Sequence, residues 1–581
     1  MATKSQAKII IIGGGLAGLM TTIKICEAGG KVDLFSVVPV KRSHSVCAQG
    51  GINAAKNTKG EGDSVDKHFD DTVYGGDFLA NQELPKQMCE AGPAIIDLLD
   101  RMGVMFNRTQ EGNIDLRRFG GTLFHRTAFA GATTGQQMLY ALDEQVRRAE
   151  VDGRVKKYEH WELMSLVFDE KRICRGIVAL NLQSMELKAF RADAVILATG
   201  GCGLIFGKST NSTACTGSAA SIAYQEGAYY ANGEFIQVHP TAIPGDDKLR
   251  LMSEAARGEG GRVWTYKEGK PWYFLEEWYP KYGNLVPRDV ASRAIFKVVK
   301  ELGLGVDGKD VVYLDLTHID AKKLDQRLGG IIEIYEKFIG DDPRKVPMKI
   351  FPAVHYSMGG LWIDDRHMTN IPGLFAVGEC DYQYHGANRL GANSLLSCLF
   401  GGMVAGPQSL EYAKGLSQGA DAMASSVYDQ AIKKQEQIHK TLLHSDGSEN
   451  PFRLHEDLGK LMTDNVTVIR YNKHLEKTDI ELQKLLERYK KIGLPDKNAW
   501  ANPVVPFARQ LYNMLHLARA ITVGALKRDE SRGAHYKPDF PDRNDEQFLK
   551  TTKAAWTTQG PRIEYEAVDT KYIKPRARKY S

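Results

Sequence analysis

Lys8-Ile9-Ile10-Ile11-Ile12-Gly13-Gly14-Gly15-Leu16-Ala17-Gly18 is the stretch whose reading settles the architecture. The apolar run from Lys8 to Ile12 has the character of a strand buried on both faces. Leu16 to about Glu27 has helical periodicity, and Lys31 to Ser36 returns to a strand. In that setting Gly13-x-Gly15-x-x-Gly18 has a physical meaning: a tight turn, close backbone approach to a pyrophosphate, and a helix N-terminus facing the anion. The second strand ends in Phe35-Ser36, where an acid commonly grips a ribose. Ser36 can still hydrogen-bond, but a nicotinamide cofactor becomes less attractive. Shortly after come Arg42-Ser43-His44 and Ala48-Gln49-Gly50-Gly51, which put a histidine on the segment that runs along the far end of a bound dinucleotide. Together the two stretches point to a flavin that is bound and covalently tethered.

Two later strands return to the same cofactor. Asp193 to Gly201 ends in paired glycines, and Ile371 to Glu379 ends in a carboxylate suited to a ribose hydroxyl. The expected fold is α/β: a discontinuous Rossmann-like FAD-binding domain (1–236 and 355–422), an inserted α+β capping domain (237–354), a C-terminal helical domain (423–534) and an extended C-terminal region (535–581). Helical periodicity runs over Tyr428–Leu442, Leu454–Tyr471, Ile480–Ile492 and Pro506–Leu526. There are no internal repeats.

The totals fit this picture. At 581 residues the chain exceeds one core, and 43% hydrophobic with 25% charged residues is ordinary for a globular protein. Net charge is +5, and the one basic concentration is the final stretch from Lys571 to Lys579. No nucleic-acid motif accompanies it, so nucleic-acid binding is not expected; it reads as a solvated end or a docking strand. No apolar run approaches the roughly 20 residues needed to span a bilayer, and no secretory signal is read. The eight cysteines show no Cys-x-x-Cys spacing, so neither a metal nor an iron–sulfur cluster is expected on this chain.

Five segments combine basic residues or histidine with glycine or small residues: Val238-His239-Pro240-Thr241, Ser253 to Gly261, Pro287-Arg288-Asp289, Phe351 to Gly360, and His385 to Leu396. If they converge where cap meets flavin, His239, His355, Arg288 and Arg389 form a pocket for a small dicarboxylate. Arginine forks grip carboxylates bidentately, and the histidines with Ser253 supply neutral donors. Glu254 and Arg257 stand three residues apart and would interact on a helix. Singly, His239 reads as a satisfied structural residue and Arg257 as a surface pairing residue. His125 and His385 have no decisive partner and are read as structural.

The ordered set strongly resembles the flavoprotein subunit of succinate dehydrogenases and quinol:fumarate reductases, from the Gly13 loop through Arg528-Asp529-Glu530-Ser531-Arg532-Gly533-Ala534-His535. The most specific motifs are Arg42-Ser43-His44 with Ala48-Gln49-Gly50-Gly51, and Gly386-Ala387-Asn388-Arg389-Leu390-Gly391-x-Asn393-Ser394-Leu395. The resemblance implies FAD joined through its 8α-methyl to a ring nitrogen of His44. It implies further contacts from Gly13, Gly14, Gly15, Leu16, Ala17, Gly18, Ser36, Arg42 and Ser43. It adds Ala48, Gln49, Gly50, Gly51, Ser218, Glu379, Asn393, Ser394 and Leu395. His239, Ser253, His355 and Arg389 would hold succinate or fumarate while hydride passes between substrate carbon and flavin N5. Arg288 would exchange the neighbouring proton, fed by Arg257 and Glu254. Ser218 stands where many relatives carry an acid, and Ser253 where many carry threonine. The resemblance also implies an iron–sulfur partner subunit docked on a membrane cytochrome b subunit, of the di-haem type from the flavour of Pro39 to His44. That places the chain on the cytoplasmic side of the cell membrane, peripheral through its partners. The C-terminal tail and the Arg532 segment are candidate partner contacts, or pack on the chain itself. L-Aspartate oxidase is the rival reading, and His44 is the discriminator, because that enzyme binds flavin without a tether. Direction is set by quinone and partner potentials, not by these residues; the lean is towards succinate oxidation.

Overall fold

The structure is a computed structural model and describes residues 7–245 and 249–580; the outer limits of the expected first and last domains, Met1 and Ser581, lie outside them. The isoleucine run forms the central strand of a five-stranded parallel sheet, in the order Leu374–Ala376, Ala194–Leu197, Lys8–Ile12, Lys31–Ser36, Val155–Glu159. Ile9 to Ile12 are buried, as a strand covered on both faces requires. The helix Leu16–Glu27 packs closely on Asn393–Gly415. Gly402 and Gly406, one turn apart, make this possible: a Cβ on Gly402 would stand 2.9 Å from the Ala17 carbonyl, and one on Gly406 3.0 Å from that of Thr21. The two discontinuous parts of the chain thus share one sheet and one core.

A six-stranded antiparallel sheet rises beside it, ordered Arg250–Leu251, Ile236–Ile243, Met348–Ser357, Val312–Asp315, Arg262–Lys267, Lys270–Trp272. Ile236 pairs with Ser357, so the chain enters and leaves this layer side by side. Helices Arg288–Phe296 and Ala321–Ile339 bury Val290, Ile295, Leu324 and Leu328 in its core.

The helices that follow are Ser425–Leu443, Pro451–Asn465, Asn472–Tyr489 and Val504–Lys527, which corrects two expected spans. The second stops at Asn465 because the β-branched run Val466-Thr467-Val468-Ile469 leaves the helix, and the buried Arg470 side chain then takes up the Val466 and Thr467 carbonyls. The third begins earlier, since its core face is Leu475, Thr478, Leu482 and Leu485, while Ile480, the expected start, is 53% exposed.

The C-terminal region is also more regular than expected. Lys550–Ala555 and Arg562–Ala567 form a hairpin that joins Tyr230–Ala231 and Gly360–Leu361 in a four-stranded sheet. The tail beyond packs on the chain itself. Gln82 Oε1 accepts from the backbone N–H groups of Tyr572 and Ile573, and Arg576 pairs with Asp70. Arg578 grips Asp289 through two bonds of 2.6 and 3.0 Å, and Tyr580 is buried against Tyr74 and Tyr282. Arg532 is likewise internal, held by Glu530, Asp545 and the Asp77 carbonyl. Both segments pack on the chain itself: Lys571, Arg576 and Arg578 meet the sequence-distant Glu83, Asp70 and Asp289, and Arg532 meets Glu530 and Asp545.

This latch has a measurable consequence. Burial pushes the Asp289 carboxyl up, but Arg578 and Arg293 outweigh it and hold it below its ordinary value. Arg578→Ala leaves the buried Asp289 carboxylate with Arg293 alone, at 3.3 Å, a loss of up to about 3–5 kcal/mol, and is expected to lower the thermal unfolding midpoint in calorimetry. A depressed folded-state pKa stabilises above the unfolded value of about 3.9 and is lost as pH falls through the folded one. The unfolded value is common to both chains, so the gap between wild type and Arg578→Ala should shrink as pH falls through the variant's folded-state value, which loss of Arg578 raises, and close below the depressed wild-type one. A midpoint unchanged at neutral pH would remove the latch.

Candidate active site

A cavity of about 1460 Å³ runs from the parallel sheet to the edge of the antiparallel layer. At its nucleotide end Gly13 adopts φ +118°, and a Cβ there would lie 2.1 Å from the Ala198 carbonyl. Gly18 sits against Gly13 itself, where a Cβ would stand 1.9 Å from its carbonyl. Larger residues would force strand and helix apart and close the cradle. The helix that follows has Gly15 as its N-cap, which has no side chain to cap it, and Leu16 N donates to Ser45 Oγ at 3.3 Å; Gly15, Leu16 and Ala17 of this N-terminus line the cavity.

Gly13, Gly14, Gly15, Leu16, Ala17 and Ser36 all line this cavity. So do Ser43, His44, Ala48 and Gln49, and from later in the chain Ser218, Glu379, Ser394 and Leu395. Ser218 Oγ accepts from the Asn513 amide at 2.8 Å, which ties a helical-domain residue to the cavity wall. Glu379 accepts from Ser357 N at 3.0 Å, and burial pushes its carboxyl up to about 7. The remaining expected contacts do not reach the wall. Arg42 is exposed. Gly18 and Gly51 are packing glycines, the latter with φ +140° and a Cβ position 2.5 Å from the Ala128 carbonyl. Gly50 presents its carbonyl to the buried Arg117. Asn393 turns inward to His68, Asn53 and Thr72.

His44 is bracketed by consecutive residues: Ser212 N donates to Nδ1 at 3.2 Å, and the Asn211 amide lies 3.2 Å from Nε2. Asn211 also donates to the His355 carbonyl at 3.1 Å, and Thr210 Oγ1 holds His355 Nδ1 at 2.7 Å. Segment 210–212 therefore links the expected tether to the expected substrate histidine. The sequence reading missed these residues; their only signal is a run of small polar residues, Ser209 to Thr213, between two glycines. It also missed Arg117, which stacks 4.1 Å from the Phe129 ring and donates to the Gln49 and Gly50 carbonyls. Burial lowers its pKa to about 9.

Beyond His355 lies a buried polar cluster. Glu254 receives Arg257 on one oxygen at 2.7 Å and Arg288 on the other at 2.7 and 3.0 Å. Burial pushes the Glu254 carboxyl up, but Arg288 and Arg257 hold it below its ordinary value. Burial lowers Arg257. Gly120 and Gly391 leave room for the carboxylate, since a Cβ on either would approach Glu254 to 2.3 and 2.7 Å. Gln237, two residues before His239 and on the same strand face, accepts from Arg288 at 3.0 Å and donates to the Arg389 carbonyl at 2.8 Å. It too went unread, although strand alternation pointed to it.

His239 and His355 stand ring to ring at 5.0 Å on paired strands. Burial, then the nearby guanidinium charges, drives both well below the usual histidine range, so both are neutral. His239 Nδ1 accepts from Thr241 N at 3.2 Å, and its Nε2 is buried without a partner among the described residues. Ser253 is buried, its Oγ accepting from Ala255 N at 3.3 Å. Arg389 lies 4.4 Å above the Tyr356 ring with Nε unpartnered, and burial, then Arg288, lowers it to about 9. Among the described residues the ion pairs of Arg257 and Arg288 are with Glu254, and Arg389 forms none, with Glu379 acting on it only at longer range, so the cluster of three arginines and one carboxylate carries a surplus of two positive charges. A doubly negative ligand balances that surplus. Of these side chains His355 and Tyr356 also line the large cavity, so cluster and cavity meet there. His125 pairs with Glu61 at 2.8 Å, away from this centre.

Residues 8–395 match the family model described as FAD binding domain, and 455–580 the one described as fumarate reductase flavoprotein C-term. The chain is 67% identical over 579 residues to the succinate dehydrogenase flavoprotein subunit of Bacillus subtilis, covering 99% of each. It is 35% identical over 591 residues to the fumarate reductase flavoprotein subunit of Escherichia coli, covering 99% of this chain and 96% of that one. Among solved structures it superposes on a substituted E. coli quinol fumarate reductase with a TM-score of 0.90 at 33% identity, covering 99% and 98% of the two chains. A quinol-fumarate reductase with menaquinol gives 0.91 at 34%, covering 98% and 99%.

Proposed function

The chain belongs to the family of succinate dehydrogenase and fumarate reductase flavoprotein subunits, FAD-dependent oxidoreductases, and from that premise we propose how its own residues divide the work. The observation that carries the proposal is the buried cluster with a surplus of two positive charges opening onto the cofactor cavity at His355 and Tyr356. FAD fits the cavity on structural grounds: the Gly13 cradle closes on a pyrophosphate, Glu379 suits a ribose, and His44 stands on the wall. When bound, it supplies a two-electron acceptor and donor. His44 is the residue that anchors it covalently.

Succinate or fumarate is held by Arg389, Ser253, His239 and His355. Neutral imidazoles donate without repelling the guanidinium groups, and the unpartnered His239 Nε2 and Arg389 Nε are satisfied by the ligand. Arg288 moves the proton at the carbon next to the one that exchanges hydride. An arginine is a poor acid in water, but Arg288 is hydrogen-bonded twice to Glu254, whose other oxygen is bonded to Arg257. The three groups form a continuous buried path, and burial eases the deprotonation of Arg257. Among the described residues no helix is long and apolar enough to cross a membrane. The electrons pass to an iron–sulfur subunit and a membrane cytochrome b subunit, of the di-haem type, with the flavoprotein peripheral on the cytoplasmic side.

The test uses the complex purified with its flavin. Succinate is expected to reduce an artificial dye acceptor, malonate to compete with it, and L-aspartate to be inert. Aspartate-dependent reduction without succinate turnover would overturn the assignment in favour of the aspartate oxidase reading.

A further inference from the structure

Arg389 is a buried guanidinium that, among the described residues, forms no ion pair, Glu254 and Glu379 acting on it only at longer range, an arrangement that needs another source of stabilisation. The face of the Tyr356 ring supplies it, 4.4 Å from the guanidinium carbon. An aromatic face occupies no N–H donor, so the fork stays available to a ligand carboxylate. That benefit depends on the ring staying where it is, and a phenol held at one end can tilt. The Tyr356 hydroxyl lies 3.2 Å from His385 Nε2, and the two rings meet edge to face at 5.4 Å. His385 Nε2 is in turn 3.1 Å from Ser397 Oγ, which donates to the Ser394 carbonyl at 3.0 Å. Ser394 is on the first turn of the helix Asn393–Gly415 and lines the cofactor cavity. A neutral imidazole is the form this place tolerates, since burial and then the Arg389 charge drive His385 well below the usual histidine range.

We propose that Tyr356 and His385 are positioning residues: His385 ties the Tyr356 hydroxyl to the helix that floors the cavity, and the fixed ring holds Arg389 in register for the substrate carboxylate. The inference rests on the reading of Arg389 as the dicarboxylate clamp. It goes beyond that reading in giving a task to a histidine that sequence alone assigns to structure. The chain of contacts predicts a defect in ligand binding rather than in the chemical step, because neither side chain reaches the proton path through Arg288, Glu254 and Arg257.

The experiment compares Tyr356→Phe, His385→Leu, His385→Gln and the double variant Tyr356→Phe/His385→Leu in the flavin-loaded complex. Tyr356→Phe breaks the bond to His385, and His385→Leu breaks that bond and the one to Ser397, so in each the KM for succinate and the inhibition constant of malonate are expected to rise about 5- to 20-fold, with kcat within about threefold of wild type. The double variant should be no worse than His385→Leu alone, since that substitution already breaks the link that Tyr356→Phe removes. His385→Gln, which keeps a polar group at the Nε2 position, should recover most of the loss. Flavin absorbance per chain should be the same in all four, which separates a positioning defect from misfolding. Unchanged KM and malonate inhibition in Tyr356→Phe would overturn the proposal, as would multiplicative losses in the double variant. If wild type itself showed no succinate-dependent reduction, the function reading would fail instead, and that result is read before any variant is made.

Discussion

His44→Ala is expected to abolish acid-stable flavin attachment while leaving FAD binding intact. The side chain stands on the cavity wall between Ser212 N and the Asn211 amide, whereas the Gly13 cradle, Ser218 and Glu379 lie elsewhere in the same cavity and are untouched by the substitution. The variant should bind FAD when folded and lose its yellow colour and in-gel fluorescence after acid precipitation or a denaturing gel. Succinate oxidation should fall by about tenfold or more, since a two-electron centre loses a factor of ten in equilibrium for each ~30 mV of lowered potential. Fumarate reduction, which a lower potential favours, should suffer less. Fluorescence that stays with the denatured variant would show that the anchor is another residue.

The second large effect is at Arg288. Arg288→Ala removes the group placed to exchange the substrate proton, and positioned acid–base groups contribute about 10²- to 10⁴-fold; kcat should drop by that order in both directions of the reaction. Malonate binding should weaken far less, because Arg389, His239 and His355 remain. The same change frees one oxygen of Glu254, whose carboxyl is held below its ordinary value by Arg288 and Arg257 against burial that pushes it up. Its pKa should therefore rise in the variant, making the residual rate more sensitive to pH on the acid side. Breaking a buried pair costs about 3–5 kcal/mol, so flavin content and thermal midpoint should be measured alongside. A kcat retained to within about tenfold would remove Arg288 from the proton path.

The parts of the fold legible in the sequence are those whose physics is short-range. The Gly13 turn, the strand before it and the helix after it follow from neighbours a few positions apart, and the strands Ala194–Leu197 and Leu374–Ala376, each shorter than the expected run to Gly201 or Glu379, follow from the same pattern. The members of the polar cluster were legible one by one, as basic residues set among glycines. The helix limits at Asn465 and Asn472 were not, because Lys- and Glu-rich turns hid the stripe that begins at Leu475. Nor was the self-packed tail, whose partners Asp70 and Asp289 stand hundreds of residues earlier.

The chain's own order of residues thus determined the dinucleotide cradle, the histidine on its wall and the kinds of charge available for a dicarboxylate. Tertiary structure alone decided which charges are buried together: Glu254 between two arginines, Gln237 bridging Arg288 to Arg389, Asn211 joining His44 to His355, and Tyr356 beneath Arg389. Propensity and capping act over a few residues. Desolvation and ion pairing depend on which distant segments exclude water from one another, and that is settled only when the chain closes on itself.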